Sequence, residues 1–214
     1  LFLADMDSTM IGQECIDELA AEVGLKEHVA AITERAMRGE IAFEPALRER
    51  VALLKGLPES VVDDVIARRV TLMSGAARLL RVMRRHGTYA ALVSGGFTVF
   101  TGPVAAKLGF DEHRANHLVV EDGRFAGAVA EPILGQQAKL DALRDLTARL
   151  KLDPRETMAV GDGANDLAMI GAAGLGVAYH AKPAVAAAAA ARIDWSDLTA
   201  LLFAQGYRDS DLAA

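Results

Sequence analysis

The 214-residue chain reads as an α/β protein built on a doubly wound parallel sheet, with a small helical bundle inserted after the first strand. Three observations predict it. Short continuous apolar runs, expected of strands covered on both faces, recur at residues 1–5, 89–94 and 157–161. Amphipathic segments ending in glycine alternate with strand-like stretches through the second half of the chain. Residues 14 to about 70 break that alternation, reading as helix after helix with no strand.

Taken in order, Leu1-Phe2-Leu3-Ala4 is the first strand and stops at the acidic turn Asp5-Met6-Asp7-Ser8-Thr9. Four helices follow, 14–23 before Gly24, 26–38 before Gly39 and 43–55 before Gly56, then 58–69 opened by Pro58. Proline is tolerated in a first helical turn because its missing N–H has no intrahelical role there. The core resumes with helix 75–86 before Gly87, where Ser74 offers an N-capping hydroxyl. Strand 89–94 and helix 98–108 before Gly109 come next. Between 117 and 129, Asp122-Gly123 separates Val119-Val120 from Phe125, the pattern of a tight β-hairpin. Helix 136–150, strands 157–161 and 174–177 and a weaker strand at 192–195 complete a Rossmann-like core. The alanine-rich stretch 184–191 favours helix and reads as a surface helix. Residues 1–13 and 71–214 are thus expected to form the core and 14–70 a cap.

Composition bounds the rest. A 52% hydrophobic content and slightly positive mean hydropathy supply one large core, or a core plus a small insert. The net charge of −6 argues against nucleic acid as a partner, which would need a basic face. Cys15 is the single cysteine, so no intramolecular disulfide forms, and its apolar neighbours make it a packing residue in a reducing compartment. Residues 184–191 fall far short of the roughly 20 apolar residues a membrane helix needs, and no signal segment opens the chain. A cytoplasmic protein without a membrane partner is expected. Leu1 stands where an initiator would, inside a buried strand, so an N-terminal extension or domain is expected before it.

The chemistry gathers at the strand ends, where open α/β sheets bind ligands. Asp5 and Asp7 follow the first strand. Asp162 and Asp166 lie in Gly161-Asp162-Gly163-Ala164-Asn165-Asp166, directly behind Met158-Ala159-Val160. Such oxygen clusters suit a hard cation such as Mg²⁺, and a cation beside a free carboxylate points to phosphate chemistry. Asp5, rigid at its strand end, is placed for nucleophilic attack on phosphorus. Asp7, two residues on, is placed to give and then take a proton. Asp162 is a metal ligand, and Asp166 holds a metal-bound water or orients Asp162. Uncharged Asn165 suits substrate. Ser94 with Gly95-Gly96 makes an anion nest of a hydroxyl and backbone N–H groups, Met6 and Gly95 being the expected N–H donors.

Asp5-x-Asp7-Ser8-Thr9, Ser94-Gly95-Gly96, Lys139 and Gly161 through Asp166 resemble, in order, the four motifs of the haloacid-dehalogenase-like (HAD) phosphohydrolases. The helical insert resembles that superfamily's small cap. Within it, Glu14-Cys15-Ile16-Asp17 and Phe43 through Arg50 resemble the phosphoserine phosphatase branch. The resemblance implies an aspartyl-phosphate on Asp5, Mg²⁺ held by Asp5, Asp162 and the Asp7 backbone carbonyl, and Lys139 neutralising the phosphoryl oxygens. It implies Glu14 on a substrate ammonium, Arg50 on a carboxylate, with Arg48 as the fallback, and Met37 and Phe43 as apolar walls. The implied partner is a small phosphate ester, L-phosphoserine, hydrolysed to serine in the last step of serine biosynthesis. Homodimer formation stays open. The rivals are hydrolysis of another small phosphate, phosphoryl transfer to an alcohol such as homoserine, and a receiver-type phospho-accepting module.

Overall fold

The structure, a computed structural model, describes residues 1–37 and 40–212, with the Met37 side chain outside the description. The chain opens with β1 (Phe2–Ala4) and then α1 (Cys15–Glu22), α2 (Lys26–Met37), α3 (Phe43–Ala52) and α4 (Val61–Arg69). It continues through α5 (Ala76–Arg85), β2 (Ala90–Phe97), α6 (Thr98–Leu108), β3 (Glu112–Asn116), β4 (Leu118–Glu121) and β5 (Arg124–Val129). Then come α7 (Gln136–Arg149), β6 (Met158–Gly161), α8 (Leu167–Ala172), β7 (Leu175–Tyr179), α9 (Pro183–Ala188) and β8 (Ala191–Ile193), with α10 (Ala200–Ala204) and α11 (Asp209–Leu212) at the end.

Six strands form one parallel sheet in the order β3-β2-β1-β6-β7-β8. The strand order reverses at β1, the doubly wound arrangement that opens a crevice at the carboxyl ends of β1 and β6. β1 is central because it is apolar on both faces. Phe2, Leu3 and Ala4 are all fully buried, and burying Phe2 and Leu3 stabilises the fold by about 1.5–3 kcal/mol each.

The helical block α1–α4 leaves and rejoins the core through a paired neck. Ile11 bridges Leu72 antiparallel, and the Gly12 N–H donates to the Thr71 carbonyl at 3.0 Å. Gln13 and Thr71 exchange two more bonds, both 2.8 Å, which joins the exit and the return of the block. The expected hairpin is present as β4–β5, with Asp122 and Gly123 both at positive φ in the turn. It packs on the block: the Gly56 N–H donates to the Phe125 carbonyl at 2.8 Å and the Phe125 N–H to Leu57 at 2.9 Å, around a buried Phe125 ring.

Four expectations are corrected. Strand β3, Glu-His-Arg-Ala-Asn, has too little apolar periodicity to be legible. It is an edge strand, paired with β2 on one side and carrying Glu112 and Arg114 in surface ion pairs. Pro58 does not open a helix; it bridges Arg124 of the hairpin, and α4 begins three residues later. Ser74 is not an N-cap, since its hydroxyl donates to Asp197 at 3.2 Å while Gly75, at φ +82°, takes the cap position. The alanine run stays helical only to Ala188, because Ala191 onward is drawn into the sheet beside β7. Pairing with the sheet overrides the intrinsic helix preference of alanine there. No described helix is long and apolar enough to cross a membrane.

Candidate active site

Adjacent strands deliver the first two carboxylates. Ala4 and Val160 are paired in register across β1 and β6, and the Asp5 N–H extends the ladder to the Val160 carbonyl at 3.0 Å. Asp5 and Asp162 therefore leave the sheet side by side at the crevice. Asp166 closes a 3₁₀ turn over Ala164–Asp166, and its Oδ2 accepts the Gly163 N–H at 3.1 Å. Gly161 makes this approach possible: a Cβ there would lie 2.3 Å from Cγ of Asp166.

Lys139 comes from α7, whose buried face also carries Ala142, Leu143 and Leu146. Its side chain is fully buried, with Nζ 2.6 Å from Asp5 Oδ1 and 2.7 Å from Asp166 Oδ1. Burial works against the ammonium, but Asp166 and Asp5 outweigh it and raise its pKa. Resemblance places this group on phosphoryl oxygens. Its contacts here are with Asp5 and Asp166, beneath the cavity rather than in its wall.

Carboxylate oxygens of Asp5, Asp162 and Asp166 all lie within 4.8 Å of one another, and all three residues are buried. Burial, and then the charge of Asp166, pushes the Asp5 carboxyl well above its ordinary value and the Asp162 carboxyl up to about 7. Thr9 Oγ donates to Asp162 Oδ1 at 3.1 Å. Three carboxylates against one ammonium leave a surplus of negative charge in a dry setting, and an all-oxygen donor set of this kind fits a hard divalent cation.

Asp7 turns away from this cluster. Its Oδ1 accepts the Cys15 N–H, in the first turn of α1, at 3.1 Å. Burial, and then nearby Glu14, raises the Asp7 carboxyl to about 7. A Cβ at Gly96 would lie 2.9 Å from Asp7 Oδ2, which brings the Ser94-Gly95-Gly96 stretch of β2 against this side chain. Ser94 is buried, and its Oγ accepts the Gly96 N–H at 2.9 Å.

A cavity of about 290 Å³ joins these groups to the helical block. Asp5, Asp7, Ser94, Gly95, Asp162 and Asn165 line it from the core, and Glu14, Phe43 and Arg50 from the block. The Phe43 ring rests on two glycines: a Cβ at Gly95 would be 3.4 Å from it and one at Gly135 3.3 Å. Arg50 is 8% exposed, whereas Arg48 points outward and pairs with Glu131. Met6 packs in the core and does not line the cavity. Met37 lies outside the described side chains.

Sequence reasoning named Ser8 and Thr9 within the first motif without giving either a role, and missed Thr33 and Gln136. Ser8 Oγ donates to Glu14 Oε1 at 2.7 Å, and Gln136 and Thr33 line the cavity. The hydroxyls of Ser8 and Thr9, directly behind two catalytic-type aspartates, were the available signal. Thr33 and Gln136 carry none.

A doubly wound sheet with a buried carboxylate cluster at its switch point, roofed by helices, defines the class: an α/β protein with an acidic, all-oxygen site at its sheet edge. The chain belongs to the haloacid dehalogenase-like hydrolase family, whose model matches residues 2–171. It is 46% identical over 202 residues to a phosphoserine phosphatase of Haemophilus influenzae, covering 94% of this chain and 64% of that protein. A Polaromonas phosphoserine phosphatase is also 46% identical, over 94% of this chain and 88% of the relative. The chain therefore spans under two thirds of the first relative and most of the second. Among solved structures, a phospho-aspartyl intermediate analogue of phosphoserine phosphatase superposes with a TM-score of 0.89 at 40% identity, covering 95% of this chain and 97% of that one.

Proposed function

We propose that this chain hydrolyses L-phosphoserine to serine and phosphate as a Mg²⁺-dependent phosphomonoesterase, with residues 14–70 acting as a cap over the site. One observation carries the reading: Asp5, ion-paired to buried Lys139, lies in a cavity that also receives Glu14 and Arg50 from the helical block. Phosphate, ammonium and carboxylate on a short carbon frame match that set of groups. The similarity to enzymes named phosphoserine phosphatase, and to a phospho-aspartyl analogue structure of one, supports it.

Asp5 attacks phosphorus in line, forming an aspartyl-phosphate as the bond to the serine oxygen breaks. Asp7 carries a proton near neutral pH, because burial raises its carboxyl to about 7, and gives it to the departing oxygen. The same group, now ionised, takes a proton from the water that cleaves the mixed anhydride. Ser94 and the Gly95 N–H group hold the phosphoryl oxygens, and Asn165 contacts substrate. Lys139 fixes the Asp5 carboxylate and opposes its burial cost. Asp5, Asp162 and the Asp7 carbonyl, with Asp166 orienting them, would hold Mg²⁺, which would supply charge neutralisation of the phosphoryl group. The cap excludes bulk water and must open for exchange.

The test is phosphate release from L-phosphoserine beside phosphoethanolamine and other small esters, with and without EDTA, and with homoserine as an added acceptor. Preference for phosphoserine, lost in EDTA and restored by Mg²⁺, is expected. Metal-dependent release from a different ester, or formation of phosphohomoserine in place of free phosphate, would overturn the substrate reading.

A further inference from the structure

Arg50 is a buried cation with no carboxylate in ion-pair contact among the described residues. Its Nε donates to the Ala46 carbonyl at 3.1 Å and its Nη1 to Thr33 Oγ at 3.0 Å, both neutral acceptors. A desolvated charge held only by neutral groups stays receptive to an anion entering the cavity it lines. Its two anchors do different work. Ala46 lies on Arg50's own helix, α3, and selects a rotamer relative to that helix. Thr33 lies on α2, and its bond ties the guanidinium to a second element. Thr33 Oγ also donates to the Val29 carbonyl at 3.1 Å, which commits its proton and leaves its oxygen as the acceptor for Arg50.

We propose that Thr33 is a positioning residue that sets the plane of the Arg50 guanidinium for a substrate carboxylate, making the enzyme selective for phosphoserine over phosphate esters that lack one. The inference rests on the functional reading above. A guanidinium engages a carboxylate best through two parallel N–H groups, a geometry that tolerates little rotation. A hydroxyl that pins one nitrogen from a neighbouring helix removes that rotation before substrate arrives.

The experiment measures kcat/KM for L-phosphoserine and for phosphoethanolamine, which keeps the phosphate and ammonium but has no carboxylate. The variants are Thr33→Val, which keeps the β-branched shape, and Thr33→Ser, which keeps the hydroxyl. The ratio of the two kcat/KM values is expected to fall about tenfold in Thr33→Val, the worth of one hydrogen bond to a charged group, and to return in Thr33→Ser. The loss should appear in KM for phosphoserine more than in kcat. Placed on an Arg50→Lys background, Thr33→Val should cost no further selectivity. A general packing defect would lower both substrates together and leave the ratio unmoved, which overturns the inference. If the wild-type protein prefers phosphoserine and Thr33→Val still keeps that preference, the inference alone falls. If the wild-type protein shows no preference for phosphoserine, the functional reading falls and takes this inference with it.

Discussion

The Lys139 ammonium and the Asp5 carboxylate lie 2.6 Å apart with both side chains almost wholly cut off from solvent. The lysine is therefore part of the structure that makes a buried strand-end aspartate tolerable. Removing it leaves Asp5 and Asp166 buried next to each other without their shared cation.

Lys139→Met is expected to destabilise the metal-free protein by about 3–5 kcal/mol at neutral pH, the cost of orphaning one side of a buried ion pair. Urea unfolding measures this. Added divalent cation should recover part of the loss, and a variant as stable as wild type would show that the pair is energetically idle.

Gly161→Ala should cost about 1–3 kcal/mol through overpacking, because the new methyl meets Asp166 at 2.3 Å. It should also weaken cation binding in calorimetry by displacing that carboxylate. Gly171→Ala is the control. Gly171 sits inside α8 with nothing within 4 Å of an added Cβ, so alanine there should leave stability equal or higher.

Ser8→Gly removes the hydroxyl that holds Glu14 and suits the positive φ of 55° at that position. KM for L-phosphoserine is expected to rise about three- to tenfold with kcat little changed, in line with the loss of one charge-assisted hydrogen bond. Steady-state kinetics with phosphoserine checks it.

Acid stability of the helical block should depend on Glu18. Its carboxylate in α1 bonds Lys26 of α2 at 2.7 Å and Arg69 of α4 at 3.3 Å. Burial pushes this carboxyl up, but the bonds to Lys26 and Arg69 outweigh burial and hold it below its ordinary value. A depressed folded-state pKa gives stability that is present above the unfolded value of about 4.3 and lost as pH falls through the lower folded value. Glu18→Gln should therefore be less stable than wild type at pH 7 and converge with it near pH 3, as followed by thermal unfolding across that range.

Much of this was legible from residue order because strands covered on both faces are continuous apolar runs. β1 and β6 each end at a site motif and β2 carries Ser94-Gly95-Gly96 within its last residues, running on to Phe97 rather than ending at Ser94, so strand and chemistry were read together. Strand β3 was not legible, since an edge strand can be polar, and Pro58 misled because its role is a bridge to a hairpin 66 positions away in the chain. Site residues with a motif around them, from Asp5 to Asp166, could be named in advance. Thr33 could not, because a threonine on an amphipathic helix looks the same whether or not an arginine from another helix meets it.

The chain by itself determined which residues carry charge at which strand ends, because local periodicity and turn chemistry act over a few neighbouring positions. Only the tertiary structure decided that Lys139 bonds Asp5 and Asp166, that Asp7 faces Cys15 while Asp162 faces Thr9, and that Arg50 has neutral anchors and lines the cavity. Those contacts join residues far apart in sequence. Their strength comes from exclusion of water, a property that exists only once the helices close over the sheet edge.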